Sequence, residues 1–387
     1  MKTVEFNLPT KIEAGNGVFT ETGAYLQGAV KGKRIFIVTD PGIEQVGFVA
    51  KLEQILKIEG YVTKVFNQVK PNPKDADCIV GGKAALDFRA DAILAIGGGS
   101  VIDSAKAIAI IKSHGGGPQD YAGRDNVPDG VAPLIVIPTT AGTGAEVTRS
   151  SVITDTDRKI KFTIKAVQIA PVLAIVDPEL TYKLPPHLTA STGMDALVHA
   201  IEAYTCKLSN PIADGLALQA MKHIYPYLRR AVKNGEDQEA RYNMMIGSTI
   251  AGMAFSHADV ASVHCMAEAI GGLYDTPHGV ANSMFLPYIV GYNAEVEIEK
   301  HATIARTIGI AKESDPDQAA ANLLVNEMKQ LAEDISIPSF ASLSEVKEED
   351  FDYLAESAYN NGSTPSNARE INKKNYLQLF QKAYLDN

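Results

Sequence analysis

Residues 91–106 read Asp-Ala-Ile-Leu-Ala-Ile-Gly-Gly-Gly-Ser-Val-Ile-Asp-Ser-Ala-Lys, and this stretch decides the fold class. Residues 91–96 form a short apolar run that is typical of a buried strand. Three glycines follow, and residues 100–111 have the spacing of apolar side chains that an amphipathic helix requires. A strand, a tight turn and a helix in immediate succession are the repeating unit of an α/β layer.

The same alternation recurs from the start of the chain to about residue 177. Helices are predicted over residues 48–59 and 100–111, and strands over residues 4–8, 34–40, 91–96, 133–137 and 171–176. This half of the chain should therefore build a largely parallel sheet, whose ligands bind beyond the carboxyl ends of the strands.

The chain changes character at the Pro185-Pro186 pair. Long segments with the helical period follow it, over residues 194–205, 211–230, 238–254 and 261–271, with further helices to the end. We therefore predict an α/β domain over residues 1–184 and an all-helical domain over residues 185–387.

The composition favours a small-molecule partner. Of the 387 residues, 45% are hydrophobic and 21% are charged, and the formal net charge is −10 without a dense basic run. Nucleic acid and membrane partners are not expected. Three cysteines without C-x-x-C spacing, and an N-terminus unlike a secretory signal, predict a cytoplasmic protein with reduced thiols.

The glycine-rich turn after residue 96 predicts a phosphate site. Consecutive glycines let the backbone approach a ligand closely, and the N-terminus of the next helix offers free N–H groups to a pyrophosphate. A glycine cluster after a strand also serves a simple tight turn, and that alternative stays open. A second polar cluster, residues 138–148, follows another predicted strand and so lies on the same sheet edge. The two loops together favour a dinucleotide site.

Asp40 follows the strand predicted over residues 34–40. An acid at this place accepts hydrogen bonds from an adenosine ribose and repels a 2′-phosphate, which favours NAD over NADP. The alternative is a turn or helix-cap aspartate before Pro41-Gly42.

A metal site is predicted from four residues in the second half. Asp195 and His199 lie four residues apart in an apolar helical stretch and therefore share a face, and His264 and His278 follow downstream. The spacing by itself also fits a structural Asp–His helix pair. Three imidazoles and one carboxylate suit Fe²⁺, Zn²⁺, Co²⁺ or Ni²⁺ better than Mg²⁺ or Ca²⁺.

Residues 191–204 and 262–282 resemble the two signatures of the iron-containing, or group III, alcohol dehydrogenases. Pro71-Asn-Pro73, Gly97-Gly-Gly-Ser100, Pro138-Thr-Thr140 and Gly144-Ala-Glu-Val-Thr148 match the same family in the expected order. The resemblance is greatest to the branch of 1,3-propanediol dehydrogenases, lactaldehyde reductases and short-chain alcohol dehydrogenases.

The resemblance implies a dehydroquinate-synthase-like fold, with a nucleotide-binding α/β domain, a helical metal domain and the active site in the cleft between them. It implies a divalent metal, typically Fe²⁺, on Asp195, His199, His264 and His278. It further implies a homodimer or higher homo-oligomer, for which residues 4–8 could supply pairing strands. Positions that contact the dinucleotide in the family correspond to Asp40, Asn72, Gly98, Gly99, Ser100, Thr139, Thr140, Thr148 and Lys161.

One departure from the family concerns Glu268, where many relatives have a histidine four residues after the first. Glu268 could act as a base, pair with a cation or join the metal shell; the first is a hypothesis for catalysis. The expected activity is NAD(H)-linked hydride transfer between a short primary alcohol or diol and its aldehyde. The alternatives are a glycerol-dehydrogenase-like polyol oxidoreductase and a catalytically inactive nucleotide-binding relative.

Overall fold

The computed structural model describes residues 3–386, which divide into two compact units. The α/β unit contains residues 8–140 and 144–182. The helical unit contains residues 3–7, 141–143 and 183–386. The expected division treated the chain as two continuous pieces, whereas two short segments from the first half belong to the helical unit. Hydrophobic periodicity does not reveal such exchanges, because it reports local structure only.

The strands all belong to the α/β unit. They are β1 Lys11–Ala14, β2 Arg34–Val38, β3 Val62–Phe66, β4 Ala92–Gly97, β5 Gly123–Arg124, β6 Leu134–Pro138, β7 Ser150–Asp155, β8 Ile160–Lys165 and β9 Leu173–Val176. The helices of this unit are α1 Thr22–Ala29, α2 Pro41–Val46, α3 Phe48–Ile58, α4 Asp75–Asp87 and α5 Gly99–His114.

The α-helices of the helical unit run from the Pro185-Pro186 pair to the end of the described chain. They are α6 Pro186–Thr205, α7 Pro211–Lys233, α8 Gln238–Ser256, α9 Ser262–Tyr274, α10 His278–Ala294, α11 Ile298–Thr307, α12 Asp317–Asp334, α13 Phe351–Tyr359 and α14 Lys373–Leu385. These elements, with the strands above, confirm the expected fold class of a parallel α/β region followed by a helical region.

In the described chain, six strands form a parallel sheet in the order β1-β9-β6-β4-β2-β3. Successive side chains of a strand point to opposite faces, so that Ile35 and Ile37 belong to one apolar core while Phe36 and Val38 belong to another. The first core includes side chains of α1 and α3, and the second includes side chains of α4 and α5. Helices therefore cover both faces, which explains why the strands are apolar throughout.

The carboxyl ends of β2, β4 and β6 lie at one edge of this sheet. Thr39, directly after β2, donates its hydroxyl to Ile96 O at 2.9 Å, and Thr139, directly after β6, donates its N–H to Gly97 O at 3.1 Å. The glycine-rich turn and the polar cluster after residue 137 are therefore neighbours, as the sequence predicted.

The hairpin β7–β8 was missed by the sequence analysis. These strands pair antiparallel from Ser150–Lys165 to Asp155–Ile160, and Asp155 accepts two backbone hydrogen bonds in the turn between them. β7 has polar side chains on both faces, so no alternation marks it, whereas β8 alternates apolar and polar residues strictly from Ile160 to Lys165, a signal that the sequence analysis did not use.

The helical unit begins where the sequence suggested a break. Pro186 occupies the first position of α6, where proline is well tolerated because that N–H has no helical acceptor. The side chain of Asn210 accepts hydrogen bonds at the start of α7, and that of Asp237 at the start of α8. The first residue of α10 is His278.

The strand predicted over residues 4–8 is wrong. These residues form no strand, and the first strand is β1 at Lys11–Ala14. Phe6 instead stacks on His257 with ring centroids 4.0 Å apart, and the backbone of Asn7 bonds the same imidazole. The alternation of apolar and polar residues over residues 4–8 therefore does not mark a strand of the sheet, and Phe6 contacts the ring of His257 instead. Among residues 3–386, no helix combines the length and apolarity needed to span a bilayer.

Candidate metal centre and dinucleotide site

Three helices of the helical unit bring the four predicted metal ligands together. Asp195 and His199 lie one turn apart on α6, His264 lies in the first turn of α9, and His278 starts α10. One potential ligand atom from each side chain lies within 4.8 Å of those from the other three. His278 is the most accessible member, with 28% of its side chain exposed, whereas the Asp195 side chain is 2% exposed. The cluster is therefore open to solvent on the His278 side only.

Glu202 determines the orientation and tautomer of His264. Nδ1 of His264 lies 2.6 Å from Oε2 of Glu202. A carboxylate only accepts hydrogen bonds, so Nδ1 bears a proton and Nε2 is the nitrogen that can supply a lone pair to a metal. That Nε2 atom lies 3.1 Å from Nε2 of His199. The lone pair of His264 thus points into the cluster.

The sequence analysis did not single out Glu202. Its carboxylate is buried and also accepts the backbone N–H groups of Ala261 and Val263, at 2.9 and 2.7 Å. A signal was present: Glu202 lies three residues after His199 in an otherwise apolar helix, where an unpaired buried acid is costly.

Asn282 is a second contributor that the sequence analysis missed. It lies one turn after His278 on α10 and is fully buried. Its Nδ2 donates to Oδ1 of Asp195 at 2.6 Å and lies 3.1 Å from Nε2 of both His264 and His278. Asn282 therefore fixes the Asp195 carboxylate within the group of imidazoles.

The electrostatics of the cluster favour the unprotonated forms of two ligands. Burial lowers the pKa of His199 to about 4, although Asp195 acts in the opposite direction. Burial would raise the pKa of Asp195, but the three imidazoles outweigh it and the pKa is lowered. Burial also opposes protonation of His264, yet the Glu202 carboxylate outweighs burial and raises its pKa. Near neutral pH the group offers an imidazole lone pair from His199 and a carboxylate charge from Asp195.

These residues fit a divalent transition metal. Converging imidazole nitrogens and one carboxylate oxygen in a buried group are a borderline ligand set that suits Fe²⁺, Zn²⁺, Co²⁺ or Ni²⁺. The alternative of a simple Asp195–His199 helix pair explains less, because Nδ1 of His199 stays 3.9 Å from Oδ2 of Asp195. That separation is too long for a hydrogen bond.

The predicted phosphate-binding residues lie at the carboxyl edge of the parallel sheet. Gly98 precedes α5, and the N–H groups of Gly99 and Ser100 belong to its half-exposed first turn. A Cβ atom on Gly98 would lie 3.2 Å from Cγ2 of Thr140, so these two loops are in close contact. Thr139 is buried, and its hydroxyl has no hydrogen-bond partner among the described residues.

Asp40 caps the short helix α2. Its Oδ1 accepts the N–H groups of Gly42 and Ile43 at 2.8 and 3.0 Å. This is the cap role that the sequence left open as an alternative. It does not exclude a second role for the half-buried carboxylate, because both hydrogen bonds use the same oxygen.

The three remaining predicted contacts of the dinucleotide all lie in the α/β unit, and two of them pair with each other. Asn72, in the left-handed conformation at φ 51°, accepts a hydrogen bond from Nζ of Lys161 at 2.9 Å. Thr148 accepts one from Nζ of Lys106, also at 2.9 Å. Lys106 is fully buried and additionally donates to the carbonyls of Ala145 and Ser150.

Lys106 ends the stretch of residues 91–106, but the sequence analysis did not identify it as a functional residue. Burial lowers its pKa, whereas Asp103, 3.7 Å away, acts against that change. A lysine between apolar residues in the middle of α5 was the available signal. It joins helix α5 to the segment that contains Thr148.

Glu268 lies on α9, one turn after His264, and is not a member of the four-residue group. Its Oε2 accepts a hydrogen bond from Nδ2 of Asn361 at 2.6 Å. The sequence analysis considered three roles for Glu268: a base, a partner of a cation and a member of the metal shell. Pairing with a cation is not observed among residues 3–386, because the partner of its carboxylate is the amide of Asn361.

Comparison with known families agrees with this architecture. Residues 9–178 match the family described as iron-containing alcohol dehydrogenase. Residues 189–384 match the description Fe-containing alcohol dehydrogenase family, C-terminal. The two matches together cover nearly the whole chain.

Individual relatives are similar over nearly their full length. A 1,3-propanediol dehydrogenase from Citrobacter freundii is 41% identical over 355 residues, covering 91% of this chain and 92% of the relative. An NAD-dependent methanol dehydrogenase from Bacillus methanolicus is 37% identical over 378 residues, covering 98% of this chain and 99% of the relative. A solved 1,3-propanediol oxidoreductase superposes with a TM-score of 0.95 at 38% identity, covering 99% of this chain and 100% of that structure.

These findings confirm the resemblance that the sequence motifs indicated. They also confirm, at the level of the family, an alcohol–aldehyde oxidoreductase with a divalent metal and with NAD-dependent members. The catalytically inactive alternative loses its basis, because the cluster of candidate ligands is intact. The chain belongs to the iron-containing alcohol dehydrogenase family.

Proposed function

We propose that Asp195, His199, His264 and His278 hold a divalent metal, Fe²⁺ in preference to Zn²⁺, Ni²⁺ or Co²⁺, and that the protein interconverts a short primary alcohol or diol and its aldehyde with NAD(H). The observation that supports this most directly is the convergence of the four ligand atoms within 4.8 Å, with the lone pair of His264 turned inward by Glu202. The name of the family supports iron.

A divalent metal at this position would supply positive charge. That charge would favour loss of the alcohol proton during oxidation and polarise the aldehyde carbonyl during reduction. The chain itself provides orientation. Glu202 holds the ring of His264, Asn282 holds the carboxylate of Asp195, and Phe255 stacks on His199 with centroids 4.3 Å apart. Ligands held in this way do not have to reorganise during the reaction.

The dinucleotide is proposed to bind the α/β unit at the carboxyl edge of its parallel sheet. The half-exposed first turn of α5 would receive the pyrophosphate at Gly98, Gly99 and Ser100. The other proposed contacts are Asp40, Asn72, Thr139, Thr140, Thr148 and Lys161. The buried hydroxyl of Thr139, which has no partner in the described chain, supports a polar ligand nearby. The carboxylate of Asp40 supports NAD over NADP.

The substrate is proposed to be small. Two of the relatives above are named for 1,3-propanediol and methanol, which supports alcohols of a few carbon atoms. A glycerol-dehydrogenase-like polyol oxidoreductase remains the second candidate, and the Asp–His₃ group favours the alcohol dehydrogenase branch.

The test is a spectrophotometric assay of NADH consumption with Fe²⁺-loaded protein and aldehydes of two to four carbons. We expect turnover with these aldehydes and weaker turnover with dihydroxyacetone, the ketone of glycerol. Preference for the ketone would support the polyol alternative. Absence of turnover with every carbonyl compound in Fe²⁺-loaded protein would refute the proposal.

Two further properties belong to this proposal. A homodimer or higher homo-oligomer is supported by an exposed apolar segment near the N-terminus, where Val4 is 40% and Phe6 37% exposed. A cytoplasmic location is supported by Cys78, Cys206 and Cys265, all buried and unpaired. Light scattering of the purified enzyme and fractionation of cells would test these two properties.

A further inference from the structure

Glu268 is an exception within helix α9. Every other residue from 261 to 271 is buried, including the neighbours Ala267 and Ala269, but Glu268 is only half-buried. A long charged side chain in an otherwise buried stretch requires contact with water or with a polar ligand. Glu268 therefore borders accessible space.

Glu268 shares a side of helix α9 with a candidate metal ligand. Residues four apart share a helix face, so Glu268 lies on the face of α9 that includes His264. The next residue on that face is Gly272, which has no side chain to fill the space and is itself half-exposed. The negative charge of Glu268 acts on both His264 and Cys265.

Asn361 holds the carboxylate in one orientation. Its Oδ1 accepts the N–H of Ser363 at 2.9 Å, so its Nδ2 faces Glu268 and donates to Oε2 at 2.6 Å. Within residues 3–386, Oε1 of Glu268 receives no hydrogen bond and the side chain forms no ion pair. One carboxylate oxygen is therefore fixed, and the other is left as an acceptor on the face of α9 that includes His264.

We propose that Glu268 selects the substrate: its Oε1 accepts a hydrogen bond from a second donor group on the alcohol, a hydroxyl in a diol or an ammonium in an amino alcohol. This inference rests on the proposed function, because it requires the reacting hydroxyl at the Asp195–His199–His264–His278 cluster. The carboxylate disfavours alcohols that bear a carboxylate of their own, since two like charges would approach each other.

The decisive variant is Glu268→Gln. Glutamine keeps the length of the side chain and an oxygen for Asn361, but it presents an NH₂ donor at the position of Oε1. We expect kcat/KM for 1,3-propanediol and 3-amino-1-propanol to fall about tenfold or more, as is typical when a charged acceptor is lost. The value for 1-propanol should stay within about twofold, and 3-hydroxypropanoate should become a better substrate.

Asn361→Ala tests the positioning separately. It leaves the charge of Glu268 intact but releases Oε2, so we expect a smaller loss of preference for the donor-bearing alcohols over 1-propanol. Glu348→Gln is the matched control, because Glu348 is an exposed glutamate of the same unit, and it should change none of these ratios. A larger loss for the amino alcohol than for the diol would identify the ammonium as the preferred donor group.

Binding should be measured as well as turnover. Calorimetric titration of the enzyme–NADH complex with each alcohol should show weaker binding of 1,3-propanediol to Glu268→Gln, and metal analysis should show unchanged metal content. Equal losses for 1-propanol and the diol, or unchanged ratios throughout, would overturn the inference while leaving the proposed function intact. Failure of the wild-type protein to oxidise any alcohol would instead refute the proposed function.

Discussion

Oε2 of Glu202 lies 2.6 Å from Nδ1 of His264, although the two residues are 62 positions apart in the chain. The two side chains are almost completely buried, with 3% and 4% exposed. This contact sets the tautomer of His264 and joins helix α6 to helix α9 at the candidate metal centre. Glu202 is not one of the proposed ligands, yet it determines which ring nitrogen of His264 faces the proposed metal.

We expect Glu202→Gln to weaken metal affinity about 10- to 100-fold, as is typical when the carboxylate partner of a ligating histidine is lost. The amide removes the negative charge that favours the Nδ1–H tautomer, and it can turn a donor toward Nδ1. Competition with a chromogenic chelator would measure the affinity. Glu348→Gln serves as the control, since it removes one exposed carboxylate of the same unit without touching the hydrogen bond to His264. Equal metal affinity in wild type and Glu202→Gln would contradict this prediction.

Removal of the metal should separate catalysis from dinucleotide binding. Chelation, or the substitution His264→Ala, is expected to abolish NAD-linked turnover, because positive charge at the cluster would be lost. Binding of NADH should persist, because its proposed contacts belong to the α/β unit. Fluorescence titration with NADH would establish this. Full turnover in a sample shown by elemental analysis to contain no metal would be incompatible with the prediction.

Asp40→Asn should relax the preference for NAD over NADP without destabilising helix α2. Asparagine still accepts hydrogen bonds from the N–H groups of Gly42 and Ile43, and it is as good an N-cap as aspartate, but it has no charge to repel a 2′-phosphate. The ratio of kcat/KM values for the two dinucleotides measures the effect. Asp40→Ala is the companion variant, expected to lose the cap as well, at a cost of about 1 kcal/mol. An unchanged ratio in both variants would restrict Asp40 to its cap role.

Lys106→Met should weaken both the α/β unit and its affinity for the dinucleotide. Methionine fills a similar volume, but it leaves Asp103 without its cation and three oxygen acceptors without their donor, at a cost of about 3 kcal/mol. Because Thr148 is one of those acceptors, KM for NADH should rise while KM for the aldehyde changes little.

Urea unfolding and steady-state kinetics would check the Lys106 prediction. Lys112→Met, on the same helix but half-exposed, is the control and should have little effect on either quantity. Adding Asp103→Asn to Lys106→Met should restore part of the lost stability, since the unpaired charge is then removed. A stable Lys106→Met protein with unchanged KM for NADH would show that Thr148 is held by other contacts.

Much of the fold was readable from local pattern. The apolar runs that became β2, β4, β6 and β9 are buried on both faces of the sheet, and such strands need apolar residues at every position. The strand expected over residues 4–8 and the missed hairpin β7–β8 have the opposite origin. At residues 4–8 the structure depends on contact with His257, and at β7 it depends on the paired strand; a local pattern contains neither partner, although the alternation within β8 was visible in the sequence.

The sequence by itself determined which residues could form the centre: an acid and a histidine one turn apart, two later histidines, and the motifs around them. Local periodicity was enough, because a helix fixes the relation between Asp195 and His199 whatever surrounds it. Only the tertiary structure decided what completes the centre. Glu202 and Asn282 act there through contacts spanning 62 and 87 positions, and Asn361 reaches Glu268 across 93. In the α/β unit, Lys106 likewise reaches Ala145 across 39 positions. Residues this far apart in the sequence come into contact only when helices and strands pack, because a buried polar group needs a hydrogen-bond partner.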